Sequence, residues 1–239
     1  MKKAAFAAVI ILLALVIVSL GFFRRTPFSY SGVIEAVDID VPARLNDVIT
    51  KLNIDEGTPV TAGQVLAELE CKQTALQEEI ALKEYKRAEQ LFKTAAGSKE
   101  NYENRKNIYD QAALAKTWCK ILSPITGRVL HKYYEEGEFI QAGRKLATVA
   151  DLSTVNAWVF VEHNLIASLT PGQKITGRLP ETGGVFEGVI LTINDEAEFT
   201  PKNVQTRDER ARLVFGVKTR FQNDERRTLK PGMTLEVIF

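Results

Sequence analysis

Two cysteines are the residues of this chain whose types and spacing could do covalent chemistry. Cys71 and Cys119 flank a long stretch of helix-forming residues, and neither lies in a pattern typical of a catalytic cysteine. In an oxidising compartment they could form a disulfide that stabilises the fold by about 3–4.5 kcal/mol. The alternative is a pair of buried, reduced thiols, and the residues leave the choice between these states open.

No pattern typical of an active site accompanies the cysteines. The two histidines, His131 and His163, are isolated, and methionine occurs only as Met1 and Met233, which argues against a thioether copper or silver site. The nucleotide-binding sequence G-x-x-x-x-G-K-(S/T) does not occur, and the net charge of +1 argues against nucleic-acid binding. We therefore predict a protein that is not an enzyme and has no metal, cofactor or nucleic-acid partner.

The strongest pattern in the chain is a duplicated segment, E-G-x-x-(V/I)-x-A-G-x-x-L-A, at residues 56–67 and 136–147. Its glycines can adopt the positive φ that tight turns need, and the β-branched residue between them faces a core. We predict a strand–turn–strand unit in each copy. The expected turn glycines are Gly57, Gly63, Gly97, Gly127, Gly137 and Gly143. In the first copy Asn46 is expected to take the place of Gly127, because asparagine tolerates the left-handed conformation.

The stretch between the copies, residues 71–119, is predicted to be an α-helical hairpin. It is rich in good helix formers, with Gly97 expected to end the first helix and Ser98 to cap the second. Two helices of about 20–24 residues fit, with the tip at 95–98. The predicted apolar stripes are Leu76, Ile80, Ala88, Leu91 and Ala95 on the first helix, and Tyr102, Tyr109 and Ala112 on the second.

The first 25 residues are predicted to be a membrane anchor. The apolar run from Ala4 to Phe23 is about 30 Å long as a helix, enough to span a bilayer. Ser19-Leu20-Gly21 is a poor cleavage site, so a retained anchor is favoured over a signal peptide. Because no second run of this kind occurs, the rest of the chain is expected on one side of the membrane, after export.

The remaining sequence is predicted to be mainly β. Residues 26–70 and 120–150 are expected to form one split domain, and 151–239 a small barrel or sandwich. Alternating runs at 155–161, 188–193 and 213–221 predict strands, and the polar stretch 199–212 predicts a loop.

A split β unit interrupted by a helical hairpin, preceded by an anchor and followed by a β-barrel, resembles the HlyD-like membrane-fusion family. Its members are periplasmic adaptor proteins of ABC- or RND-type efflux and secretion systems in Gram-negative bacteria. The resemblance extends from Ser31 to Phe239 and includes the segments 123–127 and 229–233. It implies a split lipoyl-like (barrel-sandwich hybrid) domain, an antiparallel coiled-coil hairpin and a C-terminal β-barrel.

The family also implies partners and a location. The chain would be held in the inner membrane by a single N-terminal helix, with its bulk in the periplasm. It would assemble into a ring, expected to be a hexamer, and join an inner-membrane transporter to a TolC-like outer-membrane channel. Residues 197–206 resemble adaptors of ABC exporters, which favours ABC over RND type. Many members continue into a membrane-proximal domain, which is expected to be absent or minimal because the sequence stops at Phe239.

Three residues near the hairpin tip match the spacing R-x3-L-x6-S of adaptors that engage TolC-type channels: Arg87, Leu91 and Ser98. Arg87 and Leu91 lie one turn apart on a helix face, so a cation, an apolar side chain and a hydroxyl could dock between helix ends of a partner. The alternative roles are a solvated arginine, a leucine in the helix seam and a simple N-cap.

Two other functions compete with the adaptor. The repeat also resembles lipoyl and biotinyl carrier domains of acyl- or carboxyl-transfer enzymes, which modify a lysine between their halves. Lys72 lies near that junction but lacks the flanking pattern and begins a helix. The second alternative is an envelope scaffold that uses the hairpin as a coiled-coil partner and has no role in export.

Overall fold

The computed structural model describes residues 29–199 and 213–239. The predicted anchor and nearly all of the predicted 199–212 loop lie outside these ranges. Within them, none of the helices has the length and apolar character needed to cross a membrane. The described residues divide into two compact units. We refer to 35–155 with 223–231 as the repeat unit, and to 29–34, 156–199, 213–222 and 232–239 as the C-terminal unit.

The elements follow one another in a β-rich order with one helical insertion. In chain order they are β1 (Tyr30–Pro42), β2 (Asp47–Leu52), β3 (Pro59–Val60), β4 (Val65–Leu69), α1 (Lys72–Lys93), α2 (Lys99–Thr117), β5 (Lys120–Leu122), β6 (Gly127–Lys132), β7 (Phe139–Ile140), β8 (Lys145–Glu162), α3 (His163–Ile166), β9 (Lys174–Arg178), β10 (Val185–Phe199), β11 (Leu213–Gln222) and β12 (Thr234–Ile238).

The two copies of the repeat pair with each other in the repeat unit. β2 pairs antiparallel with β7, and β3 pairs antiparallel with β6, so the short strand of each copy lies beside the first strand of the other. Val60 and Ile140, the β-branched residues of the two motifs, are buried in one core with Ile49, Leu66 and Val129. The prediction that these residues face a core is confirmed.

The turns of each copy are held by the other copy. Gly57 donates its N–H to the carbonyl of Val129, and Gly137 donates to the carbonyl of Ile49, both at 2.8 Å. The φ angles of Gly57, Gly63, Gly137 and Gly143 lie between +80° and +91°, a range that side chains disfavour.

Gly127 has a different reason to be glycine. It is the first residue of β6, and a Cβ atom there would lie 2.3 Å from the carbonyl oxygen of Ala150. The close approach of two backbones therefore requires the glycine, whereas the sequence predicted a turn. The counterpart of Gly127 in the first copy is Asp47, and the prediction of Asn46 was wrong by one residue. Gly127 pairs with Val60 in the same way as Asp47 pairs with Ile140.

Asn46 matches Thr126 instead, because both side chains bind the turn of the other copy. Asn46 Oδ1 accepts from the N–H of Ala142 at 2.7 Å, and Thr126 Oγ1 accepts from the N–H of Ala62 at 3.0 Å. The feature that the copies share at this position is a polar side chain that satisfies a turn N–H, and a left-handed backbone is not needed.

The strands that contribute to the C-terminal unit pair in the order β1-β12-β9-β10-β11-β8, and β1 also pairs with β8, so that the pairings form a closed cycle. The strands predicted at 155–161, 188–193 and 213–221 are confirmed by β8, β10 and β11. Phe221 and Leu235 are fully buried in this unit. Gly188 makes room for the Phe221 ring, because a Cβ atom there would lie 2.4 Å from it.

Candidate partner-docking site

The two helices of the repeat unit lie antiparallel. Phe92, near the end of α1, stacks on Tyr102, near the start of α2, with ring centroids 5.2 Å apart. Tyr85 stacks on Tyr109 at 5.6 Å, further from the tip on both helices. Hydrogen bonding with Tyr102 raises the pKa of Tyr85 to about 12.

Ion pairs between the helices extend the contact toward their base. Glu84 on α1 pairs with Arg105 on α2 at 2.6 Å, and Glu78 pairs with Lys116 at 3.0 Å. Each pair is partly exposed and contributes at most about 1 kcal/mol. Together with the stacked rings, they fix which faces of α1 and α2 meet.

The face of α1 that meets α2 differs from the predicted apolar stripe. Of that stripe only Ala88 is buried, whereas Leu76, Ile80 and Leu91 are exposed. The observed seam consists of Ala81, Tyr85, Ala88 and Phe92. The aromatic residues of α2 account for the difference, because their rings pack on Tyr85 and Phe92 and so select the aromatic face of α1 over the aliphatic one.

Arg87 and Leu91 point away from this seam. At 100° per residue, they lie roughly 110° around α1 from the centre of the seam. Arg87 is exposed, and the side chain of Leu91 is 41% exposed. The acid one turn before Arg87, Glu84, is paired with Arg105 across the seam. Arg87 and Leu91 therefore form a small surface with a cation and an apolar side chain, next to the tip.

The tip itself is a tight turn whose left-handed residue is Ala95, with φ of 56°, and not the predicted Gly97. The N–H groups of Ala96 and Gly97 both donate to the carbonyl of Leu91, at 2.8 and 3.0 Å. Gly97 is needed for closeness, because a Cβ atom there would lie 3.0 Å from the Cβ of Leu91. These bonds hold the backbone of Leu91 against the turn.

Ser98 begins α2 as its N-cap. Its Oγ accepts from the N–H of Asn101 at 3.2 Å, and the residue is exposed. The hydroxyl proton remains able to donate to another group. Ser98 thus has a structural role as the N-cap of α2. Arg87 and Leu91 take part neither in the contact between the helices nor in this cap.

The base of the hairpin is closed by a disulfide. Cys71 and Cys119 are bonded, with their Cα atoms 6.0 Å apart and 48 positions apart in sequence. Cys71 directly precedes α1, and Cys119 directly precedes β5. The strands next to them, β4 and β5, pair with each other. In the chain-entropy model a loop of this length is worth about 4 kcal/mol. The two ends of the hairpin are therefore joined both by strand pairing and covalently.

Asp47 also holds the base, and the sequence alone did not single it out. Cys71 has a left-handed backbone, with φ of 51°, and its N–H donates to Asp47 Oδ2 at 2.9 Å. Asp47 Oδ1 accepts from the N–H of Val48 at 2.8 Å. One carboxylate thus ties β2 to the residue that starts α1. In the sequence, the sign of this role was that the first copy has an acid, Asp47, at the position where the second copy has Gly127.

Lys72, the lysine of the carrier alternative, is the first residue of α1. Its ammonium group pairs with Glu70, and this hydrogen bond raises the pKa of Lys72. It therefore lies at the start of a helix rather than at the exposed turn between two strands.

Comparison with known proteins identifies the repeat unit. Residues 37–152 match the family model described as the RND MFP barrel-sandwich hybrid domain, where MFP stands for membrane fusion protein. The region from residue 37 to residue 152 is therefore a barrel-sandwich hybrid domain of the membrane-fusion type. The predicted resemblance is confirmed, and so is a mainly β fold that contains a barrel-sandwich hybrid domain.

Related sequences are named as membrane proteins. The chain is 29% identical over 122 residues to the UPF0194 membrane protein YbhG of Salmonella arizonae, a match that covers 50% of this chain and 36% of the relative. It is 30% identical over 122 residues to a UPF0194 membrane protein of Yersinia pseudotuberculosis, with the same coverage. The match spans little more than a third of the length of these relatives.

A solved structure has the same fold over most of the chain. It is a MacA–MexA chimera that contains the α-hairpin domain of Pseudomonas aeruginosa MexA. The TM-score is 0.72 at 22% identity, and the match covers 88% of this chain and 79% of the chimera. At this identity the likeness concerns the fold alone.

Proposed function

We propose that this protein is a periplasmic adaptor that connects an inner-membrane exporter to a TolC-like outer-membrane channel. The observation that carries the proposal is the exposed pair Arg87 and Leu91, held beside the tip of a hairpin whose base is cross-linked. The membrane-fusion domain at 37–152 supports this role. In this proposal the exporter is of ABC type, as the resemblance at 197–206 suggests.

The adaptor acts by binding and sealing and catalyses no reaction. A single N-terminal helix keeps it in the inner membrane, and copies form a ring, six in this proposal, around a conduit. The lipoyl-like domain and the C-terminal β-barrel build the wall, and the hairpins reach the channel. The free energy for transport comes from the separate pump.

The docking chemistry derives from the two exposed side chains. The C-terminal end of a helix carries unpaired carbonyls and partial negative charge, which attract a cation such as Arg87. Leu91, one turn further on, gains by leaving water if it enters a gap between two such ends. Ser98 adds a hydroxyl at the tip in addition to its capping bond.

In-cell photo-crosslinking from the tip tests the proposal. A photoreactive residue in place of Ala96 is exposed and leaves the Ser98 cap intact. We expect a crosslink to an outer-membrane channel. The same probe at Gln77, exposed near the base of α1, should give none. Crosslinks from position 96 only to other copies of the chain would contradict the adaptor and support the scaffold.

Charge insertion at the tip gives a second test. Leu91→Asp is expected to abolish export while the thermal unfolding of the protein stays unchanged, since the side chain lies outside the seam. The matched control is Leu114→Asp, a leucine on α2 that is 54% exposed and distant from the tip. Normal export by a folded Leu91→Asp variant would rule out the docking role of this residue.

The carrier alternative requires a covalent adduct. Intact-mass measurement of the protein from its native host would show an unmodified chain if the adaptor proposal is right. A lipoyl or biotinyl mass on Lys72 would overturn the proposal in favour of a carrier subunit.

A further inference from the structure

A cleft of about 300 Å³ lies in the repeat unit beside the base of the hairpin. Residues 39–42 of β1 and Arg44 line it, together with residues 117–118 at the end of α2, residues 120–122 of β5, and Pro124. This volume is at the lower end of the range for small-molecule sites. The cleft is not part of the surface formed by Arg87 and Leu91.

The lining of the cleft is mixed, with apolar side chains making up the larger part. Among the lining residues Val41 and Ile121 are buried, and Ile39 and Leu122 are large aliphatic side chains that are exposed. Trp118, the residue after α2, contributes an indole ring. A flat apolar body placed here would cover surface that is otherwise in contact with water.

The charges around the cleft favour an anion. The guanidinium carbon of Arg44 lies 5.9 Å from the centre of the Trp118 ring, and Lys120 also lines the cleft. The only acid among the lining residues, Asp40, is paired with Lys145 at 2.6 Å and accepts from Thr148 Oγ1 at 2.7 Å. Glu68, the register partner of Lys120 on β4, does not line the cleft.

Arg44 can bind an anion without leaving the indole. A guanidinium stacks on an aromatic ring through its face, while its N–H groups point outward in its own plane. Those groups match a carboxylate or sulfonate in a two-pronged hydrogen bond. Arg44 therefore offers a cation close to the Trp118 ring and to the apolar residues of the cleft.

We propose that this cleft is a binding site for a small amphipathic anion. One or two fused rings, or a short alkyl chain, lie between Ile39, Trp118 and Leu122, and a single carboxylate or sulfonate pairs with Arg44. Lys120 adds positive charge. This proposal does not depend on the docking function, because the cleft lies away from the hairpin tip. Anion binding to it can be measured on the purified protein.

Calorimetric titration of the full chain in a non-ionic detergent tests the site. The probes are naphthalene-2-sulfonate and decanoate, with titrations into protein-free micelles subtracted. We expect one saturable site per chain, and naphthalene-2-sulfonamide, a neutral molecule of similar shape, should bind at least about tenfold more weakly. Failure of both anions to bind, or equal affinity for the neutral molecule, would overturn the proposal.

Variants locate the site. Arg44→Gln is expected to weaken anion binding about tenfold, and Leu122→Glu, which puts a carboxylate among the lining residues, to abolish it. The control Arg226→Gln makes the same chemical change at an exposed position outside the cleft and should leave affinity unchanged. Thermal unfolding of each variant verifies that it is folded. Undiminished binding by folded Arg44→Gln would place the anion elsewhere.

A second copy of this chain is the other possible occupant. In that case a Trp118 side chain covered by another molecule would change its fluorescence with protein concentration in the absence of any anion, in a Trp158→Phe background. We expect no such dependence. A concentration-dependent change that the anions fail to reverse would assign the cleft to self-association.

Discussion

In each copy of the repeat a polar side chain holds the turn of the other copy, Asn46 in the first and Thr126 in the second. One residue later the copies diverge: the first has Asp47 and the second has Gly127. Asp47 binds the N–H that starts α1, whereas Gly127 lets β6 approach β8 closely. Both residues begin a strand, β2 or β6, but Asp47 holds the distant start of α1 whereas Gly127 allows two strands to come close.

The segments that follow the two copies of the motif, which we call their exits, also differ. The first copy leaves through Cys71 into the hairpin and returns through Cys119, with a covalent bond between them. The second copy runs from its motif straight into β8, the longest strand among the described residues. The first exit needs dedicated contacts because it must hold two helices, whereas the second is held by strand pairing.

The largest expected effect comes from breaking the covalent contact of the first exit. Reduction of the disulfide, or Cys71→Ala with Cys119→Ala, is expected to lower the free energy of unfolding by about 4 kcal/mol, because the unfolded chain regains the freedom of the open loop. Urea unfolding with and without a dithiol reductant measures this change. The double variant serves as control, since its stability should not respond to the reductant.

Making the second copy resemble the first is expected to have the next largest effect. Gly127→Ala places a Cβ atom 2.3 Å from the Ala150 carbonyl oxygen and should cost about 3 kcal/mol. Urea unfolding reports the loss. Gly143→Ala, where a Cβ atom meets nothing within 4 Å but φ is +83°, measures the cost of backbone strain alone, and an unchanged stability of Gly127→Ala would contradict the role of close approach.

Removing the acid from the first copy should have a smaller effect. Asp47→Ala leaves the buried N–H of Cys71 without its partner and is expected to cost about 2 kcal/mol. Hydrogen exchange at the first turn of α1 should increase more than exchange in β6. Uniform acceleration across both copies would contradict a local role for Asp47.

The shared contacts offer a symmetric test. Asn46→Ala and Thr126→Ala each remove one acceptor from a turn N–H and should cost about 1 kcal/mol apiece. The two losses should be similar in magnitude, as measured by chemical denaturation. A large inequality would show that the two turns depend on these side chains to different degrees.

The smallest expected effect is a pH dependence on β1. Hydrogen bonds from Lys145 and Thr148 lower the pKa of Asp40. A carboxyl group whose pKa is lowered by folding stabilises the protein above its unfolded pKa, near 4, and loses this contribution as pH falls through the folded pKa. Asp40→Asn should therefore lose less stability than wild type between about pH 4 and pH 2. Parallel acid-unfolding curves would contradict the assignment.

These comparisons show which features a sequence can reveal. The turns of both copies were predictable, because the positive φ at Gly57 and Gly137 favours glycine and the glycines therefore recur at the same position of the repeat. The helices were predictable from composition between Pro59 and Pro124. Properties of this kind depend on a residue and its neighbours in sequence.

Features that depend on partners distant in sequence were not predictable. α1 has an aliphatic face with Leu76 and Ile80 and an aromatic face with Tyr85 and Phe92, and only the rings of α2 decide which one is buried. The left-handed Ala95 replaces Gly97 because two N–H groups converge on one carbonyl. The hydrogen bond between Asp47 in β2 and Cys71 at the start of α1 joins residues 24 positions apart and was equally unpredictable.

The disulfide-closed base has a consequence for the length of the hairpin. Its two ends leave neighbouring strands with Cα atoms 6.0 Å apart, so any antiparallel helix pair with ends at this spacing fits the same core. Adding one heptad to each helix would move the tip outward by about 10 Å without altering a strand register. The length of the hairpin can thus change independently of the strand core, and can be matched to the distance that the hairpin must span.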